Sequence, residues 1–131
     1  MRVLGVDGCR GGWAGIVWDG TSVAGAYGVD LDRLLDDSGP VDVVAIDMPI
    51  GLADSGTRQA DLQARAALGA AASSIFVTPV RAALEAPTQA LATAANRGLG
   101  GQGVSAQAYA LRPKIHEVDA WVRGPGAGRR V

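Results

Sequence analysis

The stretch VLGVDG, residues 3–8, is a short apolar run that ends in an aspartate, and the stretch VVAIDMPIGL, residues 43–52, is a second one. Both are typical of buried strands, because continuous apolar runs of four to eight residues beside Gly or Pro fit a sheet interior. If the two strands are parallel neighbours, about 4.8 Å apart, the carboxylates of Asp7 and Asp47 emerge together at one sheet edge. Two carboxylates at such a short separation repel each other unless one is protonated or a cation lies between them. The sequence therefore predicts a divalent-metal site and, with it, phosphoryl chemistry.

The composition limits the classes of protein to which the chain can belong. Its 131 residues, 48% hydrophobic and 19% charged, suit one globular domain. The net charge of −1 gives no sign of non-specific nucleic-acid binding, although all but one of the 12 cations are arginines, which suit phosphate. A single cysteine and a single histidine exclude CxxC and His-rich zinc sites, so a metal should be oxygen-ligated Mg²⁺ or Mn²⁺. The lack of a signal peptide or long apolar span predicts a cytoplasmic location.

The first part of the chain alternates strand and turn patterns. A glycine-rich turn is expected at residues 8–12, and Asp19-Gly20 favours a type I′ hairpin turn. A short helix is expected over residues 30–37, and because it precedes the fourth strand, a right-handed crossover would lay that strand parallel to the first. The four predicted strands cover residues 2–7, 13–18, 22–29 and 41–47.

After residue 52 the chain becomes alanine-rich and its pattern becomes helical. Thr57 is expected to cap a helix that ends at Gly69. Two further segments are helical. The first, residues 80–97, should break at Pro87, and the second, residues 105–123, should break or restart at Pro113. The last segment has a core stripe at spacings of three and four, formed by Ala108, Leu111, Ile115, Val118 and Val122.

The pattern suggests one domain over residues 1–123 followed by a flexible tail over residues 124–131, which is rich in Gly and has no periodicity.

Several motifs between residue 2 and about residue 123 match, in order, those of one family, and they are residues 5–13, 45–52, 58–65, 73–76 and 113–119, with Pro79 and Arg81. In these motifs the chain resembles the predicted nucleases with an RNase H-like fold that are catalogued as domain of unknown function 429. The resemblance implies an α/β fold with a mixed five-stranded sheet whose first three strands are antiparallel.

The resemblance also implies the residues of a site. Asp7 and Asp47 would be the paired metal ligands, and Glu117 would be a third catalytic carboxylate, presented by a helix. Because Glu117 lies beside the core stripe of that helix, we expect it to face the same cleft as Asp7. Polar residues of the matching stretches would contact substrate, namely Arg10, Arg58, Arg65, Ser74, Arg81 and Lys114.

Members of the family continue beyond the motif at residues 113–119 into a further strand and closing helices, whereas this chain continues into Gly, Pro and Arg. We therefore expect a truncated RNase H-like domain that is a weak enzyme. We also expect one bare sheet edge through which the chain forms homo-oligomers.

We interpret the chain as a metal-dependent nuclease or phosphodiesterase of the RNase H-like class, with Mg²⁺ or Mn²⁺ as cofactor and a nucleic-acid or nucleotide phosphodiester as substrate. Two alternatives stay open. One is a nucleotide-phosphate-binding module of the actin and sugar-kinase type, which also opens with a strand, an Asp-Gly turn and a hairpin. The other is a non-catalytic remnant that acts through association. None of the three readings involves a membrane.

Overall fold

A computed structural model describes residues 1–128 and gives them an α/β fold built on one mixed sheet. The sheet has the strand order β3-β2-β1-β4, in which β1–β2 and β2–β3 are antiparallel and β1–β4 is parallel. The predicted mixed sheet and the parallel fourth strand are confirmed, with four strands in the described residues rather than five. The strands are β1 (Val3–Cys9), β2 (Gly12–Trp18), β3 (Val23–Gly28) and β4 (Val43–Ile46).

Six α-helices and a 3₁₀ helix over Gly69–Ser74 accompany the sheet in the described residues. The break predicted at Pro87 is confirmed, and the last helical segment breaks at Leu111 and restarts at Arg112, next to Pro113 as predicted. Pro113 lies in the first turn of the final helix, where its missing N–H costs nothing. No helix within residues 1–128 is long and apolar enough to span a membrane. The helices are α1 (Leu31–Ser38), α2 (Gln59–Leu68), α3 (Arg81–Leu84), α4 (Gln89–Gly98), α5 (Ala106–Ala110) and α6 (Arg112–Arg123).

The chain is organised as two compact units. Unit 1 contains Met1–Ile50 together with the chain from Glu117 onward, and unit 2 contains Gly51–His116. The sequence pattern, which suggested one domain over residues 1–123, does not reveal this division.

The core of unit 1 covers one face of the sheet. Side chains alternate along β1, so that Leu4 and Val6 are buried while Gly5 and Asp7 are exposed on the other face. Trp18 also lies on the exposed face, with 49% of its surface accessible. The core residues come from the sheet and from helices α1 and α6 and are Leu4, Val6, Trp13, Val17, Leu31, Leu34, Val44, Val118 and Trp121.

The stripe predicted on the last helical segment is largely confirmed. Ala108, Ile115 and Val118 are buried, and Leu111 and Val122 are partly buried. Trp121, which is not part of the predicted stripe, is buried as well.

Both hairpins of unit 1 differ from prediction in their turns. Cys9 pairs with Gly12, so the first turn is only Arg10-Gly11 rather than the whole glycine-rich stretch. Between β2 and β3 the loop has four residues, because Trp18 pairs with Val23. Asp19 has a negative φ, so the predicted type I′ turn is wrong.

The side chain of Asp19 organises that four-residue loop instead. One carboxylate oxygen, Oδ1, accepts hydrogen bonds from the backbone N–H groups of Thr21 and Ser22, at 2.9 and 2.8 Å. The other, Oδ2, accepts a hydrogen bond from the Ser22 hydroxyl at 2.6 Å. Such local hydrogen bonds are the reason that aspartate favours turns.

The predicted helix cap at Thr57 is corrected, whereas the predicted flexible tail over residues 124–131 stays a prediction. Helix α2 begins after Arg58, and no side chain caps it. In the tail, Gly126 is buried against the indole of Trp121, and its N–H donates to the Trp121 carbonyl at 2.7 Å. Residues 129–131 of the predicted tail lie outside the described residues.

Unit 2 has its own core, and a buried asparagine joins the segments around it. Asn96 Oδ1 accepts a hydrogen bond from the Val80 N–H at 2.8 Å, and its Nδ2 donates to the Gln102 carbonyl at 2.7 Å. A buried amide held on both sides fixes α4 against the chain before α3 and the loop after α4. The core of this unit contains Ala92, Val104 and Ala108, with Phe76, Ala86 and Tyr109 packed against it.

Candidate metal and substrate site

Asp7 and Asp47 lie at the same end of the neighbouring parallel strands β1 and β4. The register pairs Val6 with Ile46, and the N–H of Asp47 donates to the Val6 carbonyl at 2.9 Å, so the two aspartates occupy equivalent next positions. Both side chains are exposed. Because neighbouring strands in a sheet are about 4.8 Å apart, the two aspartates are neighbours across the end of the strand pair. The predicted placement is confirmed, and their role as ligands stays a prediction.

A groove runs over the exposed face of the sheet beside these carboxylates. Its volume of about 670 Å³ falls in the range of about 300–1,000 Å³ that is typical of small-molecule sites. Apart from the two aspartates, every described lining residue is apolar. The lining consists of Gly5, Val6, Asp7, Ala14, Gly15, Ile16, Ala45, Ile46, Asp47 and Ile50.

The strand register arranges the exposed face into three rows that cross the sheet from β3 to β4. The row that carries the carboxylates is Tyr27, Ala14 and Asp7, and Asp47 extends it at the position just after β4. The middle row is Gly25, Ile16, Gly5 and Ala45. The third row is Val23, Trp18, Val3 and Val43. The groove therefore has small residues at Gly5, Ala14 and Ala45, with Ile16 among them, next to the two acids.

Glu117 lies on the opposite side of the sheet from Asp7. Its Oε2 accepts a hydrogen bond from Trp13 Nε1 at 2.9 Å, and its Oε1 accepts one from the Leu31 N–H at 2.7 Å. Trp13 is fully buried in the core face, whereas its neighbour Ala14 shares the exposed face with Asp7. The prediction that Glu117 faces the same cleft as Asp7 is therefore wrong. Its carboxylate ties α6 to β2 and to the start of α1.

A metal at this site would have few protein ligands. Within residues 1–128, no group of three or more His, Cys, Asp and Glu side chains is arranged to hold a metal ion. Mg²⁺ is commonly held by one or two carboxylates, with waters and substrate phosphates completing its octahedron. The exposed pair Asp7 and Asp47 fits that kind of wet site and does not fit a dedicated all-protein cage.

Arg10, predicted to contact substrate, belongs to unit 1, as the two aspartates do. It is exposed in the two-residue turn between β1 and β2, three residues after Asp7. The exposed turn leaves its guanidinium accessible to a phosphate.

Arg58, another predicted substrate contact, is engaged within unit 2. Its Nε lies 3.7 Å from Asp61 Oδ1, and its Nη1 donates to Thr78 Oγ1 at 3.2 Å. Asp61 is buried and also accepts the Thr78 N–H at 2.8 Å. This network satisfies a buried carboxylate, which is costly to leave without partners.

The remaining predicted contacts are also engaged in unit 2. Arg65 Nη1 donates to the Ile75 carbonyl at 2.8 Å, and Arg81 Nε lies 3.6 Å from Asp54 Oδ1. The Ser74 hydroxyl donates to the Ala71 carbonyl at 2.7 Å. Lys114, in the first turn of α6, is half-buried and has an interaction partner. Their roles in binding substrate stay predictions.

The residues that make the groove were not singled out from the sequence. Small residues in a strand give no sequence signal of a binding site, yet three of them line the groove beside the acids, namely Gly5, Ala14 and Ala45. The available signal was the alternation in β1, where Gly5 and Asp7 share one face and Leu4 and Val6 share the other.

The fold and the site together define an α/β protein with two acidic side chains at the carboxyl end of its parallel strand pair. A family model described as "Protein of unknown function (DUF429)" matches residues 5–131, nearly the whole chain. The chain belongs to this family, which confirms the family resemblance noted in its motifs. No curated protein and no solved structure matches the chain.

Proposed function

We propose that the protein is a divalent-metal-dependent phosphodiesterase of the RNase H-like class, acting on a nucleic-acid or nucleotide phosphodiester. The observation that carries the proposal is the placement of Asp7 and Asp47 in register on neighbouring parallel strands, exposed at the end of a ligand-sized groove. Acids in that position are well placed to hold Mg²⁺ or Mn²⁺. The cytoplasmic location predicted from the sequence is part of this proposal.

The charge of the groove explains why the proposed reaction needs a metal. Two carboxylates line the groove and no cationic side chain does among the described residues, so an anionic phosphodiester would be repelled from it. A bound divalent ion would reverse the local charge and supply a Lewis acid and an activated water. Asp7 and Asp47 would hold the ion, and Arg10 in the nearby turn would meet an adjacent phosphate.

A role through association is a second candidate, and the edge of the sheet favours it. Strand β4 is an edge strand, so one side of its backbone has no partner strand in the described sheet. Unpaired strand edges pair readily with another chain. We propose that this edge forms the contact in a homo-oligomer.

The metal proposal is tested by titrating Mn²⁺ into the wild type and into Asp7→Asn and Asp47→Asn variants by calorimetry, followed by cleavage assays on single-stranded DNA and RNA. Replacing residues that only support a ligand costs about 10–100-fold in metal affinity, so we expect each variant to lose at least about tenfold. Asp36→Asn, an exposed carboxylate on α1, is the matched control and should bind Mn²⁺ as the wild type does.

Cleavage should require Mn²⁺ or Mg²⁺ and should disappear in both site variants. Equal Mn²⁺ binding by the wild type and Asp47→Asn would overturn the proposed function, as would cleavage that persists in a metal chelator.

A further inference from the structure

The floor of the groove has one position of exposed backbone without a side chain. Gly5 lies at its centre, with Ile16 beside it on β2 and Ala45 beside it on β4. A Cβ atom added to Gly5 would meet only the Ile16 carbonyl oxygen, at 3.9 Å, so the space above this glycine is open. A planar ring can therefore approach the peptide groups of β1 to van der Waals distance.

The walls of the groove suit a flat apolar group. Ile16 is 54% exposed on one side, and Ile50 lines the groove as well. Ala14 and Ala45 add methyl groups at the level of the floor. Among the described residues, the lining offers no hydrogen-bonding side chain other than the two acids. The groove can therefore contact the face of a ring but cannot form specific hydrogen bonds to the atoms at its edge.

The distance from the floor to the acids matches the anatomy of a nucleotide. Gly5 and Asp7 are two residues apart on one strand and point to the same face, which separates them by about 6.6–6.8 Å. A single ribose spans a similar gap between a base and its phosphate. A ring on the middle row would thus place its phosphate at the row of Asp7 and Asp47.

We propose that the groove over Gly5 and Ala45 is the subsite for the nucleobase of the nucleotide whose phosphate is held at Asp7 and Asp47. The inference rests on the proposed function and narrows its substrate to single-stranded nucleic acid or free nucleotides, because a base must be unpaired and unstacked to lie on the sheet. Binding is independent of base identity and follows the size of the ring.

The test compares adenosine 5′-monophosphate with ribose 5-phosphate, which lacks the base, by calorimetry in the presence of Mg²⁺. Stacking of one base contributes enough for us to expect at least about tenfold tighter binding of the nucleotide. Gly5→Val fills the groove and should reduce the affinity for the nucleotide to that for ribose 5-phosphate, while leaving the Mg²⁺ affinity unchanged. Gly5→Ala is a milder variant that should show a smaller loss.

Gly25→Val is the matched control. Gly25 lies in the same row two strands away, a Cβ there meets nothing within 4 Å, and the residue does not line the groove. The nucleotide should bind this variant as tightly as it binds the wild type. Equal affinities for the two ligands in the wild type, or equal effects of Gly5→Val and Gly25→Val, would overturn the base subsite.

A second measurement separates this inference from the metal site. Adenosine alone, without metal, should shift the amide resonances of Gly5 and Ala45 in NMR spectra, and Gly5→Val should abolish the response. That result supports the base subsite even if Asp47→Asn shows that no metal binds. The absence of any shift overturns the base subsite and leaves the metal proposal intact. A wild-type dimer that Gly5→Val dissociates also overturns the base subsite, because a second copy of the chain would then fill the groove.

Discussion

Glu117 shows how the neighbours of a carboxylate decide its role. Its two oxygens each accept one hydrogen bond, from the indole of fully buried Trp13 and from the first N–H of α1 at Leu31. A negative charge at the N-terminus of a helix is also favourable. The side chain is therefore fully used in joining three elements of unit 1.

We expect Glu117→Ala to lower the free energy of unfolding by about 2–4 kcal/mol, because two donors lose their acceptor at a partly buried site. Urea unfolding followed by tryptophan fluorescence measures the change. Glu117→Gln, which keeps one acceptor oxygen, should lose less. Glu85→Ala, at an exposed position, is the control and should unfold as the wild type does. An unchanged unfolding midpoint in Glu117→Ala would contradict the structural role.

Asp19 is the second residue whose local contacts have a measurable consequence. The Ser22 hydroxyl, and after it the backbone N–H groups of Ser22 and Thr21, hold the pKa of the Asp19 carboxyl well below its usual range. A carboxyl whose pKa is lower in the folded chain than in the unfolded chain stabilises the fold above the unfolded pKa. This contribution is lost as the pH falls below about 4.

We expect an NMR titration of Asp19 to give a pKa clearly under the usual value of about 3.9. Ser22→Ala should raise it towards that value, because the hydroxyl donor is the largest cause of the shift. Thr21 donates only through its backbone, so Thr21→Ala is the control and should leave the pKa low. A normal pKa for Asp19 in the wild type would show that the loop does not hold these hydrogen bonds in solution.

At the scale of elements, the contact between β3 and α1 depends on a missing side chain. Gly28 ends β3, and a Cβ atom there would clash with the backbone of Leu34 in α1. The helix can lie this close to the strand only because the position is a glycine. The same contact is supported by Asp37, which accepts the Tyr27 N–H at 2.9 Å.

Gly28→Ala should therefore lower the free energy of unfolding by about 2–3 kcal/mol, since overpacking against backbone leaves no flexible side chain to move. Gly25→Ala, on the same strand but in open space, is the control and should be close to neutral. Thermal unfolding by circular dichroism measures both. A Gly28→Ala variant as stable as the wild type would mean that α1 is free to shift away from β3.

The helices and strands that follow from the local sequence pattern were predictable, whereas the features that depend on side-chain and tertiary contacts were not. The strands and the crossover to β4 follow from apolar runs and turn residues, and α4 and the break before it follow from Pro87. The loop after Trp18 was misjudged because the bonds from Thr21 and Ser22 to the side chain of Asp19 compete with a two-residue turn. Thr57 resembles a cap in sequence, yet α2 starts beyond its reach.

The same distinction applies to the candidate site. Asp7 and Asp47 could be paired from sequence because parallel neighbours bring strand ends together. Glu117 could not be placed, because only tertiary packing turns its face of α6 towards Trp13. The groove needs the register of three strands, which no single stretch of sequence contains.

For the whole molecule, the two edges of the sheet differ in how they are covered. The β3 edge is partly satisfied by Asp37, whereas β4 is an edge strand without a second partner in the described sheet. We expect concentration-dependent self-association through β4, measured by sedimentation velocity. Val43→Lys should weaken it, because a lysine on an edge strand opposes pairing.

Val23→Lys is the control for this prediction. Val23 stands in the same row of side chains as Val43, at the opposite edge of the sheet. It should leave self-association unchanged. A monomer at all concentrations, or equal effects of the two lysines, would contradict association through β4.

The distribution of tryptophan gives the molecule a built-in optical reporter. All three indoles, Trp13, Trp18 and Trp121, belong to unit 1, and unit 2 has none. Fluorescence emission therefore follows unit 1 alone, while far-ultraviolet dichroism also records the helices α2 to α5 of unit 2. Acrylamide should quench Trp18, which is half exposed, far more than the two buried indoles. Superimposable denaturation curves from the two signals would mean that both halves of the chain melt as one cooperative block, and displaced curves would mean that each melts on its own.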